Sequence, residues 1–247
     1  MACALCQRDL PLCRSHVIPE FFYKPLYDPS PKRFYAVSSD SEVSTLRRQS
    51  GEWERLLCTD CEGKFSRWER YVALLFGQAA PMLEPGEGRQ VMRGIDYTQF
   101  RLFQLSVLWR ASISTRPFFA DVDLSPEHNE KLREMLLSEN PGAPQEYGCW
   151  LLLCVPLREV LPEMMFSPDV FDRGGHTIGR FLFGGLMWNY HVTPPPAVLS
   201  KESVFITPSG ALPIMLDDKA CTKWVVYWMN RIKESGNFLE FEPDEDA

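Results

Sequence analysis

From Thr59 onward Phe65, Trp68, Val72 and Leu75 recur at spacings of three and four, and the pattern stops at Gly77. This is the helical period, so it predicts a helix directly behind a pair of cysteines. Tyr97 to Ile113 follows another rule, with Phe100, Phe103 and Val107 on one face and Leu102, Leu105 and Trp109 on another. A helix apolar on almost every side belongs in a core or an interface. Ser125 and Pro126 supply an N-cap and a proline at the first helical position, predicting a shorter amphipathic helix that ends near Ser138. Gly148 to Pro156, Thr177 to Val192 and Ser203 to Leu216 are rich in β-branched and aromatic residues between Gly and Pro, the pattern of strands. Gly184 and Gly185 mark a turn or bulge inside the second of these. Asp217 to Ser235 opens on carboxylates, closes on Lys and Arg, and repeats Trp224, Tyr227 or Trp228, and Ile232 on one face, which predicts a closing helix.

Composition narrows the picture. Of 247 residues 45% are hydrophobic and 24% charged, which excludes a disordered or low-complexity chain. The net charge of −7 excludes a protein that coats nucleic acid by bulk charge, because such binding needs Lys and Arg to replace counterions. The charge is uneven: residues 1–75 hold 11 basic and 10 acidic side chains, the remainder 15 and 23. Met82 to Gly88 has the Pro and Gly content of a linker or turn. The expected division is therefore a module over 1–80, a second domain over 90–238, and an acidic tail over 239–247. No apolar run approaches the ~20 residues of a membrane helix. Met1 to Leu12 does not read as a signal peptide, so the expected location is the cytoplasm.

In a reducing compartment, eight cysteines point to metal rather than disulfides. Cys3 and Cys6 form one C-x2-C pair, Cys58 and Cys61 another. Each can put two thiolates on one ion, and a structural zinc takes four ligands. The second pair opens a helix, whose positive end favours anionic ligands. A knuckle, a hairpin and a ligand-bearing helix make a treble clef, so the expected class is α+β: an N-terminal treble-clef zinc module followed by a mixed helix and strand domain. Cys13 and His16 are spare ligands. Cys149, Cys154 and Cys221 sit in apolar segments and read as core. His191, beside three prolines, reads as a satisfied half-buried imidazole.

The segment Cys13-Arg14-Ser15-His16-Val17-Ile18-Pro19, followed by Leu57-Cys58-Thr59-Asp60-Cys61-Glu62-Gly63-Lys64, resembles the zinc-bound HNH endonuclease superfamily over roughly residues 1–75. The resemblance implies a ββα-metal fold that grips DNA and cuts a phosphodiester bond. It makes His16 the general base that activates water and places Glu62 where a ligand of a catalytic Mg²⁺ or Mn²⁺ stands. The pattern differs at Ser15, where a carboxylate is usual, at Glu62, where His or Asn is usual, and in having no Asn shortly before Cys58. Arg47, Arg48, Arg55, Lys64, Arg67 and Arg70 lend the module a basic character, with Arg47, Arg48, Lys64 and Arg67 as candidate phosphate contacts. Two functions follow. One is a metal-dependent nuclease acting on DNA or RNA. The other is a non-catalytic zinc module that recognises a protein or nucleic acid, with His16 a zinc ligand or a group steadying a thiolate. In both, the C-terminal domain is available for a protein partner or homodimer contact.

Overall fold

The computed structural model describes residues 2–77, 83–86, 88–197, 199, 204–217 and 219–237. The expected acidic tail lies outside them. Strand β1 (Leu12–His16) is followed by a 3-10 turn over Glu20–Leu26 and by two short antiparallel strands, β2 (Phe34–Ala36) and β3 (Leu46–Arg48). Strand β4 (Trp53–Cys58) returns antiparallel to β1, pairing His16 with Trp53 and Arg14 with Arg55. It runs without a break into helix α1 (Thr59–Gly77), whose buried residues are Cys61, Phe65, Trp68, Val72 and Leu75, the stripe its sequence predicts.

Beyond α1 come β5 (Leu83–Gly86) and β6 (Arg89–Met92), helix α2 (Tyr97–Ile113), helix α3 (Pro126–Leu137) and β7 (Cys149–Cys154). Strands β8 (Phe166–Arg173), β9 (His176–Phe183), β10 (Leu186–His191) and β11 (Leu212–Asp217) precede the last helix, α4 (Ala220–Glu234). Seven strands form one mixed sheet in the order β5-β6-β11-β7-β10-β9-β8, antiparallel except where β11 lies parallel to β7. The chain is thus α+β with an N-terminal cluster of four cysteines.

Three segments differ from the sequence pattern. Leu83–Gly86, linker-like in composition, pairs with β6 as an edge strand, where Pro85 is tolerated because an edge leaves N–H positions free. Among the described residues 204–216 of the Ser203 to Leu216 stretch, the strand begins only at Leu212, because Thr207 and Gly210 close a turn before it. Asp217 ends that strand instead of opening the helix, and its carboxylate accepts the Cys221 N–H at 2.6 Å. Phe166–Arg173 gives no alternating signal, being a polar edge strand interrupted by Pro168.

Helix α2 is buried along its length, Phe100, Phe103, Leu105 and Trp109 among its core residues. Its polar side chains Arg101, Gln104 and Arg110 are buried with them. Arg101 escapes a bare charge by donating to the Glu146 and Tyr147 carbonyls at 2.6 and 3.3 Å. Around Trp188 of β10 a ring cluster joins both halves of the chain: Phe183 stacks at 4.8 Å and Phe76 of α1 at 6.0 Å, while Phe22 meets Phe183 at 4.8 Å. Gly184 permits this approach, since a Cβ there would come within 2.5 Å of Phe22 and its φ is +60°. The C-terminal end of α4 clasps the β2–β3 hairpin: Ser235 Oγ donates to Ser38 O, Asn237 Nδ2 to Ser38 O and Asp40 O, and Thr45 Oγ1 to Asn237 O, at 2.9 to 3.2 Å. Among the described residues no helix is long and apolar enough to cross a membrane.

Candidate metal centre and its polar neighbour

The first cysteine pair lies in a tight knuckle. Gln7 N donates to Cys3 O at 2.8 Å and Cys3 N to Arg8 O at 2.9 Å, with Gln7 at φ +60°. Ala4 N donates to Leu56 O at 2.9 Å and fastens the knuckle to β4. Cys58 is the last residue of that strand and Cys61 lies in the first turn of α1, so strand, knuckle and helix deliver four thiols to one point. The four sulfurs of Cys3, Cys6, Cys58 and Cys61 all lie within 4.8 Å of one another. Cys6 and Cys58 Sγ stand 3.8 Å apart, the edge expected of a tetrahedron with bonds of ~2.3 Å.

Electrostatics fit the same use. Burial opposes ionisation of Cys6, but hydrogen bonds from the Arg8 side chain and backbone bring its thiol down to about 6. Cys61 goes the other way, pushed up by burial and by its three neighbours. Four crowded thiols can all ionise only around a cation, and the donor set is consistent with a structural zinc. Cys13 stands outside, its Sγ 3.6 Å from Thr59 Oγ1, and His16 is not one of the four.

His16 and Glu62 occupy a separate polar cluster at the end of β1. Alternation along the strand buries Ser15 completely and leaves its neighbour His16 half-buried. Ser15 Oγ donates to Glu62 Oε2 at 2.5 Å. Burial pushes the Glu62 carboxyl up, against the opposing effects of that hydrogen bond and of Arg110. Arg110, projecting from α2 and wholly buried, donates from Nη1 to His16 O at 2.5 Å and to Glu69 Oε1 at 2.6 Å. Its Nε donates to Ser106 O at 3.2 Å. The cation beside these carboxylates is therefore a guanidinium supplied by helix α2, outside the four-cysteine module.

The His16 imidazole faces Glu20, with Nε2 3.2 Å from Oε2. That contact lacks hydrogen-bond alignment, and Nε2 is buried without a directed partner. Burial lowers the His16 pKa, outweighing Glu20 and Glu69. The charges acting most on it are Glu20, Glu69, Arg110 and Arg14, while Glu62 is tied to Ser15. Because the unfolded chain takes up this proton near 6.5 and the folded chain only at lower pH, stability should fall as pH drops through 6.5. Urea unfolding at about pH 7.5 and 5.5 checks this. A His16→Asn variant should show a smaller difference between the two, and an equal difference would rule out this histidine as its source.

The candidate phosphate contacts divide. Lys64 Nζ donates to Leu137 O at 3.0 Å and lies 3.4 Å from Glu139, and Arg67 binds both Glu139 oxygens at 3.0 and 3.1 Å. These two tie α1 to the end of α3. Arg48 is 3.6 Å from Glu52. Arg47 is exposed, with Tyr35 as its ring neighbour at 5.5 Å. Arg14 and Arg55, exposed and directly opposed on β1 and β4, make a stronger basic face, with Arg14 3.7 Å above the Trp53 ring and Arg116 5.4 Å from it. Arg14, Arg116, Glu69 and Arg110 do not stand out in the sequence as site members, and Ser15, singled out in the sequence for lacking a carboxylate, is the donor to Glu62. The available signal was the charge pair Arg101 and Arg110 inside an otherwise apolar helix, where a buried cation demands partners. Compared with protein-family models, curated proteins and solved structures, the chain matches none.

Proposed function

We propose that the chain is a non-catalytic recognition protein built on an HNH-like treble clef that zinc holds together, with Arg110 standing where a nuclease would keep its catalytic cation. Zn²⁺ bound by Cys3, Cys6, Cys58 and Cys61 ties the knuckle to β4 and α1, which is a structural role. The observation that carries the reading is the Arg110 guanidinium, wholly buried and bound to Glu69 and to the His16 carbonyl, acting on Glu62. A divalent ion brought to Glu62 would meet a fixed positive charge in a poorly solvated site, where like charges repel strongly. Ser15 adds a hydroxyl where a carboxylate ligand would be needed. Among the described residues the four cysteines are the one group of three or more His, Cys, Asp or Glu placed to share an ion.

The surface left for recognition is the outer face of β1 and β4. Arg14, Arg55 and Arg116 lie around Trp53 there, with Arg47 on the neighbouring hairpin. Guanidinium groups around an aromatic ring suit a nucleic-acid backbone, and binding of that kind weakens steeply with salt. The purified protein, with Mg²⁺ or Mn²⁺, is expected to leave plasmid DNA and single-stranded RNA uncut. It should retard an oligonucleotide at low salt, and an Arg14→Ala, Arg55→Ala double variant should lose at least tenfold in affinity.

One observation favours the nuclease instead: His16 Nε2 has no directed hydrogen bond, and burial lowers the pKa of its ring, as suits a general base. Cleavage that needs Mg²⁺ or Mn²⁺ and disappears in His16→Ala, with zinc content and folding retained, would establish that reading over ours.

A further inference from the structure

Residues opposed across an antiparallel pair share a face, so Arg14 with Arg55 and His16 with Trp53 lie on one side of the β1–β4 ribbon. Ser15 and Leu56, which alternate with them, are buried on the other side. Arg14 and Arg55 are both exposed, and like charges set directly opposite one another repel. Neither makes an ion pair among the described residues. Arg55 Nη1 donates to Leu12 O at 2.8 Å, and Arg14 stands 3.7 Å above the Trp53 ring. Arg116 joins them from beyond α2, its Nε donating to Trp53 O at 2.8 Å.

The neighbouring acids are engaged elsewhere. Glu54 accepts from Ser114 Oγ at 2.9 Å, Thr115 N at 3.0 Å and Thr115 Oγ1 at 2.5 Å. Glu20, which faces His16, accepts from Tyr27 Oη at 2.6 Å, Gly51 N at 3.2 Å and Lys32 Nζ at 3.3 Å. A chain of net charge −7 therefore keeps a cluster of guanidinium groups around one indole, with two of them lacking a carboxylate partner. Such a face attracts an anion.

Resting on the recognition function proposed above, we propose that this face takes single-stranded nucleic acid, with an unpaired base stacked on the Arg14–Trp53 layer and backbone phosphates held by Arg55 and Arg116. Three features select a single strand over a duplex. The strands are only five and six residues long and their inner side is core, so the ribbon cannot enter a duplex groove as a free one does. Two or three guanidiniums match as many phosphates of one strand, whereas a duplex brings a second line of negative charge toward an acidic chain. A guanidinium layered on an indole is a stacking platform, and only an unpaired base has a plane free to join it. His16, opposite Trp53 on the same face, lies along the path of the strand.

The test is fluorescence anisotropy of the whole chain with labelled DNA of about 12 nucleotides at about 50 mM salt, as a single strand, as its duplex and as the same strand without bases. Inorganic polyphosphate serves as the competitor that carries charge alone. The single strand should bind about tenfold more tightly than the duplex or the abasic strand, because stacking adds to a charge attraction that all three share. Its affinity should fall with salt at a log–log slope of about −1.4 to −2, the value for two or three phosphates, and Arg55→Ala should reduce that slope by about 0.7. Trp53→Leu should bring the single strand down to the level of the abasic one. If that variant fails to fold, the abasic strand makes the same comparison on the parent protein. A duplex or abasic strand bound as tightly as the single strand overturns the proposal and leaves the recognition function standing, as does polyphosphate competing equally well. Absence of binding to every nucleic acid removes both.

Discussion

A Cys58→Ser protein should retain less than half an equivalent of zinc and lose several kcal/mol of stability, while the parent should carry one zinc per chain. Cys58 Sγ is 3.8 Å from Cys6 Sγ, so the substitution replaces one of four clustered sulfur ligands by a hydroxyl, a poor ligand for a thiolate-bound zinc. The metal does more than fill a hole. The knuckle is held against β4 by the Ala4–Leu56 backbone bond and the Cys58 N–H to Cys3 Sγ contact, Arg133 Nη1 donates to Leu5 O at 2.8 Å, and its residues Cys3 and Leu5 are wholly buried. Freeing it exposes Leu5 and the top of α1. In small zinc modules the binding free energy is the folding free energy, and here it is shared with a larger hydrophobic core. Metal analysis after gentle purification and denaturant unfolding with and without a chelator measure both parts. A parent protein free of zinc, or a Cys58→Ser variant equal to it in stability, would remove the basis for a metal centre.

The second large effect belongs to Arg110→Met. The substitution is close in volume but deletes a wholly buried cation that donates to Glu69 and to the His16 carbonyl. Two carboxylates, Glu62 and Glu69, are then left in a poorly solvated pocket without a counter-ion, and breaking a buried pair from one side costs about 3–5 kcal/mol. The sign of the pH dependence follows. Burial already pushes the Glu62 carboxyl up, so the folded state holds its proton more tightly than the unfolded chain does. That contribution is present at low pH and lost as pH rises through the folded-state value. The deficit of the variant should accordingly shrink between about pH 7 and pH 4.5. An Arg110→Met, Glu69→Gln double variant should recover part of the loss, which a packing defect would not allow.

Periodicity was enough to locate α1, α2 and α3, because each has a continuous apolar stripe or an N-cap followed by proline. The two C-x2-C pairs were legible for a similar reason, since the spacing within each pair is local while the fold brings the pairs together. What the chain hides is long-range. Arg110 reaches His16 across 94 positions, and Lys64 and Arg67 find Glu139 more than 70 positions away, so nothing near those residues announces a partner. Strands β5 and β8 are edges with proline and polar side chains, which is what keeps edges from pairing with other chains and also what blurs the alternation. Trp150, Asn189, Arg180 and Asp169 are cross-strand partners on four strands, and His191, expected to be half-buried, is 2% exposed two residues along from Asn189; sequence order gives no sign of that register.

The clasp between α4 and the β2–β3 hairpin sets a schedule for synthesis. Ser38 and Asp40 accept bonds from Ser235 and Asn237, and Thr45 donates to Asn237 O, partners that lie 192 or more positions later. At the ~5–20 residues per second of translation, the hairpin waits roughly 10–40 s on the ribosome before its support arrives. During that interval Val37, Val43 and Leu46, exposed even in the finished fold, stand on an unbraced two-stranded ribbon. The nascent chain is then most open to proteases and chaperones between Phe34 and Arg48, and a ribosome-bound chain halted before α4 should be cut there first.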